Sequence, residues 1–186
     1  MRPASLAPSY ARRVGKPPLT PYPPDPDDNA PPPADVAALL DVTVEGADWA
    51  NSRPVRGMEA RRAALRSCRL TGADLAEARI SDVTFDDCRL DLVNLRFATL
   101  ERVVFRECRM SECDLYEASL KDVLFEGCEL RDATFSSTTL QRAELRRCDL
   151  AGMQGVESLR GARMPWNDVL ENAPLFAAAV GIEIID

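Results

Sequence analysis

From Met58 to Gly152 an apolar residue recurs at every fifth position, a period that neither an α-helix nor a flat strand possesses. The chain reads as successive quintets: MEARR, AALRS, CRLTG, ADLAE, ARISD, VTFDD, CRLDL, VNLRF and so on through CDLAG. The third slot is apolar in every block, running from Ala60 and Leu65 through Phe85, Phe105 and Phe125 to Leu150. The first slot is almost always Ala, Val or Cys, with Met58 and Thr138 as exceptions. The remaining slots are mostly polar or charged.

Internal repetition decides the fold before any single element does. The first and third slots lie two residues apart, so in extended backbone they face the same way and the middle slot faces out. A turn after each quintet keeps the paired side chains aimed at one axis, and four turns close a square coil of 20 residues. A superperiod of 20 is present. Cys68, Cys88, Cys108, Cys128 and Cys148 recur at that interval, as do Phe85, Phe105 and Phe125, and Val83, Val103 and Val123. Residues one coil apart therefore stack at about the 4.8 Å of neighbouring strands.

The blocks resemble the pentapeptide-repeat family, whose pattern is A(D/N)LXX. Ala73-Asp74-Leu75-Ala76-Glu77 matches outright; Cys113-Asp114-Leu115 and Cys148-Asp149-Leu150 match closely. The resemblance spans about half the chain and implies an all-β fold, a right-handed quadrilateral parallel β-helix. Upstream, Ala37/Leu39, Val42/Val44 and Ala47/Trp49 keep the spacing in a frame shifted by one residue, and the stretch from Asn51 to Gly57 is expected to absorb the difference.

Three regions are expected: a tail over 1–34, a β-helix over 35–164, and a cap over 165–186. The tail holds 11 of the chain's 14 prolines, so it lacks backbone donors and reads as disordered, solvated polyproline-like chain. After Leu150 the frame loosens, with Leu159, Ala162 and Met164 placed in a last partial coil. The apolar spacing of Val169, Leu170, Ala173, Phe176, Ala177 and Val180 changes to a helical one. Pro174 suits the first turn of a second short helix and Gly181 its C-terminal stop. An open β-helix end needs covering. Trp166, Phe176, Ile182 and Ile184 are the candidate residues for this cap or for a dimer contact, with alternating Ile182, Ile184 and Ile185 forming a terminal strand.

Composition narrows the chemistry. The chain contains no histidine, which removes the commonest general base and the His-dependent nucleophile and metal systems. A column of thiols stepped by about 4.8 Å offers one ion two thiolates at best, short of tetrahedral zinc. The cysteines therefore read as small buried hydrophobes, and no cofactor, metal or catalytic residue is assigned. A convex rod has no dry cleft in which to retune a carboxylate. The reading is of a protein that is not an enzyme.

The formal net charge of −7 argues against direct binding of nucleic acid through its phosphates. No apolar run approaches the roughly 20 residues of a membrane span, and no secretory signal is apparent, so a cytoplasmic location with reduced thiols is expected. Charge is uneven along the repeats. Residues 71–135 carry eight basic and fifteen acidic side chains, whereas the flanking repeats carry a basic excess. An acidic rod can act as a rigid interaction surface for a protein partner. The candidate contact residues are Asp82, Asp86, Asp87, Leu92, Phe97, Val104, Tyr116, Glu117, Leu124 and Glu126, which combine outward acids with outward apolar groups. The family resemblance adds a narrower expectation. Some members, one of them mycobacterial and of similar length, mimic DNA, bind DNA gyrase and confer fluoroquinolone resistance. Their C-terminal helix ends in an FAAA run and a glycine, as in Phe176 to Gly181 here, and builds a homodimer.

Overall fold

Every fifth-slot residue from Gly57 to Gly152 has a positive φ, and this repeated reversal folds the quintets into four-sided coils. The structure is a computed structural model that describes Pro21, residues 38–50 and residues 57–185. The tail and the segment expected to absorb the frame shift lie outside the described residues, apart from Pro21 and Gly57.

Two kinds of corner alternate. After Leu70, Leu75 and their counterparts the corner is a turn closed by a hydrogen bond, as from Ala73 N–H to the Leu70 carbonyl at 2.9 Å with Gly72 at φ +70°. At the other corners the chain stays extended on both sides. The strands β1 (Ala38–Glu45), β2 (Glu59–Arg66), β3 (Arg79–Asp86), β4 (Thr99–Arg106) and β5 (Ser119–Glu126) each bend around such a corner. Two shorter strands, β6 (Thr139–Gln141) and β7 (Glu144–Arg146), continue the same two sides.

All pairs are parallel, in the order β1-β2-β3-β4-β5-β6, with β7 also on β5. From β2 onward the register is 20 residues: Phe85 lies on Phe105 and Phe105 on Phe125. Between β1 and β2 it is 21, with Leu39 on Ala60 and Val44 on Leu65. The shifted frame read from the sequence is thus real. The last coil is one residue short, since Glu144 pairs with Arg163. A 3-10 turn at Val156–Leu159 takes up the deficit.

The first and third slots form the interior. Phe85, Phe105 and Phe125 stack with centroids 4.9 and 5.0 Å apart and planes within 8° of parallel. On the side that carries Asp74, Asn94 and Asp114, the side-chain oxygen of each accepts the N–H two residues on, at Ala76, Arg96 and Tyr116. That bond gives a physical reason for Asp or Asn in the second slot of A(D/N)LXX.

Gly155 is required by space as well as dihedral angle. Its φ is +74°, and a β-carbon there would lie 2.3 Å from the Ser136 nitrogen. Gly155→Ala is expected to lower stability by about 1–3 kcal/mol or more in a urea melt. Gly161→Ala, at φ +86° with nothing within 4 Å, should cost less.

The C-terminal end carries α1 (Trp166–Glu171) and α2 (Ala173–Ala179), with Pro174 in the first turn of α2. Gly181 stops α2 as expected: its N–H reaches the Ala178 carbonyl at 3.0 Å, and Ile182 N–H reaches that of Ala177 at 2.9 Å. Three expectations for the cap are corrected. Trp166 does not cover the core, being 71% exposed; Leu175 and Phe176 pack against it instead. The two short helices expected from Pro174 meet at Asn172, but their apolar residues do not all face the core: Leu170 and Val180 are exposed. Ile182, Ile184 and Ile185 form no strand, because the segment pairs with no rung edge, and all three are exposed.

Candidate interaction surface

The rod has four sides, named here by their outward middle slots. The second side carries Ala64, Thr84, Val104, Leu124 and Glu144, and the fourth carries Asp74, Asn94, Asp114 and Thr134. These two sides are opposite. The acids and apolar groups singled out in the sequence divide between them.

On the second side the candidates are largely consumed within the fold. Val104 is only 7% exposed, because Thr84 and Leu124 lie directly against it in neighbouring strands. Leu124 is itself half-buried. Asp82 is buried, and both its oxygens accept from Arg102, at 2.6 and 2.8 Å. Asp122, one column-step further, is gripped the same way by Arg142, and Asp41 by Arg62. The corner column thus runs Asp41, Arg62, Asp82, Arg102, Asp122, Arg142. The column on the other margin runs Glu45, Arg66, Asp86, Arg106, Glu126, Arg146 in strand register. Glu126 meets Arg106 at 3.4 Å and Arg147 at 3.1 Å. Asp82 and Glu126 are therefore corrected from outward contact residues to members of strand-to-strand ion pairs, and Val104 to a buried residue; half-buried Asp86 lies in register between Arg66 and Arg106. Asp87, exposed at the next corner, accepts the Ser67 hydroxyl at 3.0 Å.

The charge lattice was missed in the sequence. Its signal was there: within one slot, charge alternates in sign at each 20-residue step.

The fourth side is different. Leu92 and Phe97 stand at the two corners flanking Asn94, 54% and 46% exposed. Both have φ near +60°, a conformation that costs a bulky L-residue roughly 1–2 kcal/mol. Every corner shares that conformation, and here as elsewhere the coil repays it in backbone hydrogen bonds, from Leu92 N–H to Ser111 and from Phe97 N–H to Tyr116. Tyr116 meets the Phe97 ring edge-on at 5.9 Å, and the Arg96 guanidinium lies 4.5 Å from the Tyr116 centroid. Arg96 also binds Asp114 at 3.0 Å, which holds it in place. The Glu117 carboxylate neighbouring the Tyr116 phenol pushes the phenol's pKa up. Glu112 and Asp132, on the Leu92 corner column, form no ion pair among the described residues. An aromatic and arginine group in an acidic rim is the composition of an interface centre.

A model of the pentapeptide repeat region matches residues 58–135 and 93–155, together more than half of the chain. The chain belongs to the pentapeptide-repeat family. Solved pentapeptide-repeat structures resemble it distantly. One is from the thylakoid lumen of Arabidopsis thaliana, at 20% identity and TM-score 0.40, covering 54% of this chain and 69% of that one. Another is a trypsin-treated variant of QnrB1, a plasmid-mediated fluoroquinolone resistance protein, at 14% identity and TM-score 0.33, covering 81% and 99%. A third is HetL, involved in heterocyst differentiation regulation in Nostoc sp. strain PCC 7120, at 18% identity and TM-score 0.18, covering 72% and 92%. No curated protein matches the sequence. Among the described residues no helix is long and apolar enough to cross a membrane.

Proposed function

We propose that this pentapeptide-repeat protein is a non-catalytic interaction rod of the cytoplasm, and that its fourth side binds a protein partner with a basic contact surface. The observation that carries this is the exposure of Leu92 and Phe97, large apolar groups at corners where the neighbouring coils carry Gly, Ser, Asp or Glu. Arg96 and Tyr116 give the patch a rigid centre, and Glu112, Glu117 and Asp132 set its charge preference. The test is a photo-crosslinking residue placed at Phe97 and, as a control, at exposed Thr139 on the first side. A discrete adduct from position 97 alone supports the reading, and Phe97→Asp in the same chain, with the crosslinker moved to Leu92, should abolish it. Equal adducts from both sides refute it.

A narrower reading is a DNA mimic that binds DNA gyrase and gives fluoroquinolone protection. The acid excess of residues 71–135 favours it. The pairing of Asp82, Glu101, Asp122 and Glu126 with basic groups one coil away weakens the negative field the mimic needs. A gyrase supercoiling assay decides: no inhibition and no protection at micromolar protein removes this reading and leaves the first standing. Exposed Trp166, Leu170, Val180, Ile182, Ile184 and Ile185 also favour a homodimer through the C-terminal segment. Light scattering on the wild type and on Ile182→Glu should then show dimer and monomer.

A further inference from the structure

Five of the six cysteines form one interior column, and the fold gives each the same setting. The thiols of Cys88, Cys108, Cys128 and Cys148 donate to the carbonyls of Leu65, Phe85, Phe105 and Phe125 at 3.4–3.5 Å. The residues that follow them, Arg89, Arg109, Glu129 and Asp149, are bridged in parallel register. The sulfurs therefore stack at the strand spacing of about 4.8 Å. The point midway between two of them lies about 2.4 Å from each, close to the roughly 2.3 Å of a zinc–thiolate bond. Zinc itself wants four ligands, and among the described residues no group of three or more Cys, Asp or Glu is placed to hold a metal. A soft d10 cation of linear, two-coordinate habit needs only the pair.

Access singles out one gap. Cys68, Cys88, Cys108 and Cys128 are sealed, whereas Cys148 is 8% exposed. It lines a cleft of about 690 Å³ between the last coil and the cap helices, with Arg147, Asp149, Asn167, Asp168 and Glu171 among its walls. Asp168, itself buried, accepts the Arg147 backbone N–H and holds α1 across this end.

We propose that Cys128 and Cys148 form a two-coordinate thiolate site for a soft d10 cation, copper(I) or mercury(II), entered through this cleft. Each thiol gives up its proton and forms one sulfur–metal bond. A divalent ion then leaves a neutral pair, which suits a dry interior. A monovalent ion leaves one negative charge on the pair. Thiolate softness is what selects such ions. Both groups are free thiols in the interior. Binding therefore releases about two protons per ion and tightens as pH rises.

The test is a titration of the full, reduced chain with mercuric chloride, and in a second arm with copper(I) delivered from a chelator. The first equivalent should remove two thiols from denatured thiol counts, release about two protons, produce a thiolate charge-transfer band, and leave the far-ultraviolet dichroism unchanged. Cys148→Ala and Cys128→Ala should each lose that first equivalent, while Cys113→Ala, off the column, should keep it. Melting curves show whether each variant is folded, and either one folded suffices. Uptake of both ions, or of one alone, supports the site and says which charge it prefers. The proposal fails if one thiol is consumed per ion, if uptake begins only as the protein unfolds, or if the folded Cys148→Ala and Cys128→Ala variants bind as the wild type does.

Discussion

Phe105→Ala should lower stability by about 3–5 kcal/mol, at the upper end of that range, as measured in a urea melt. The side chain is fully buried. It is also the middle ring of three, stacked on Phe85 below and Phe125 above. Its loss opens a cavity and breaks two ring pairs, each worth about 0.5–1.5 kcal/mol beyond the area they bury. The adjoining coils cannot collapse into the space, because parallel register fixes the strand spacing. Glu107→Ala, two residues on and outward, should stay within about 0.5 kcal/mol. Comparable losses at the two positions would overturn the assignment of inward and outward slots. Repeat proteins lose stability locally, so hydrogen exchange should show the loosening centred on β3, β4 and β5.

Arg102→Ala should cost about 3 kcal/mol at neutral pH, the low end for breaking a buried ion pair because the guanidinium keeps some contact with solvent. The change deprives Asp82 of a bidentate partner and Glu101 of a contact at 2.7 Å. Arg102→Lys should recover only part of the loss, since an ammonium cannot match two carboxylate oxygens at once. The sign with pH follows from Glu101. The hydrogen bond from Lys121 is the main cause holding its carboxyl below the ordinary 4.5; burial pushes the other way, and the Arg102 charge adds to the lowering. A carboxyl with a lowered folded pKa stabilises the protein above its unfolded pKa, and that contribution fades as pH falls through the lowered value. The Arg102→Ala deficit should therefore be largest at neutral pH and shrink on acidification. Equal deficits at pH 7 and in acid would mean that the arginine acts through the packing of its stem rather than its charge.

The coil, its interior and its frame shift were all legible in the sequence, because the third slot admits only apolar side chains and the superperiod of cysteine and phenylalanine counts the sides. The one-residue offset of Leu39 and Val44 reappears as the 21-residue register of β1 on β2. The surface was read less well. A slot rule treats each outward side chain as though it stood alone. In the solenoid, Val104 has Thr84 and Leu124 pressed against it, and Asp82 has Arg102 across both oxygens. What covers an outward residue lies 20 positions away, beyond any local pattern. Leu92, Phe97 and Tyr116 could be picked out as apolar groups in polar slots, but not the stacking of Phe97, Tyr116 and Arg96 into one group, since those contacts join residues about 20 positions apart. The cap was misjudged at Trp166 because helical spacing cannot say which of two short helices turns its face inward.

The margins of the second side alternate in sign from coil to coil: negative on β1, positive on β2, negative on β3, positive on β4, negative on β5, and positive at Arg142 and Arg146 of the last coil. This works as a parity check on assembly. A coil that docks one place out of order sets carboxylate against carboxylate and guanidinium against guanidinium, although every apolar contact inside is nearly preserved. A coil displaced by two places meets the right charges again. Removing one whole 20-residue coil should therefore harm the rod more than removing two, and lengthening by duplication should succeed in even numbers.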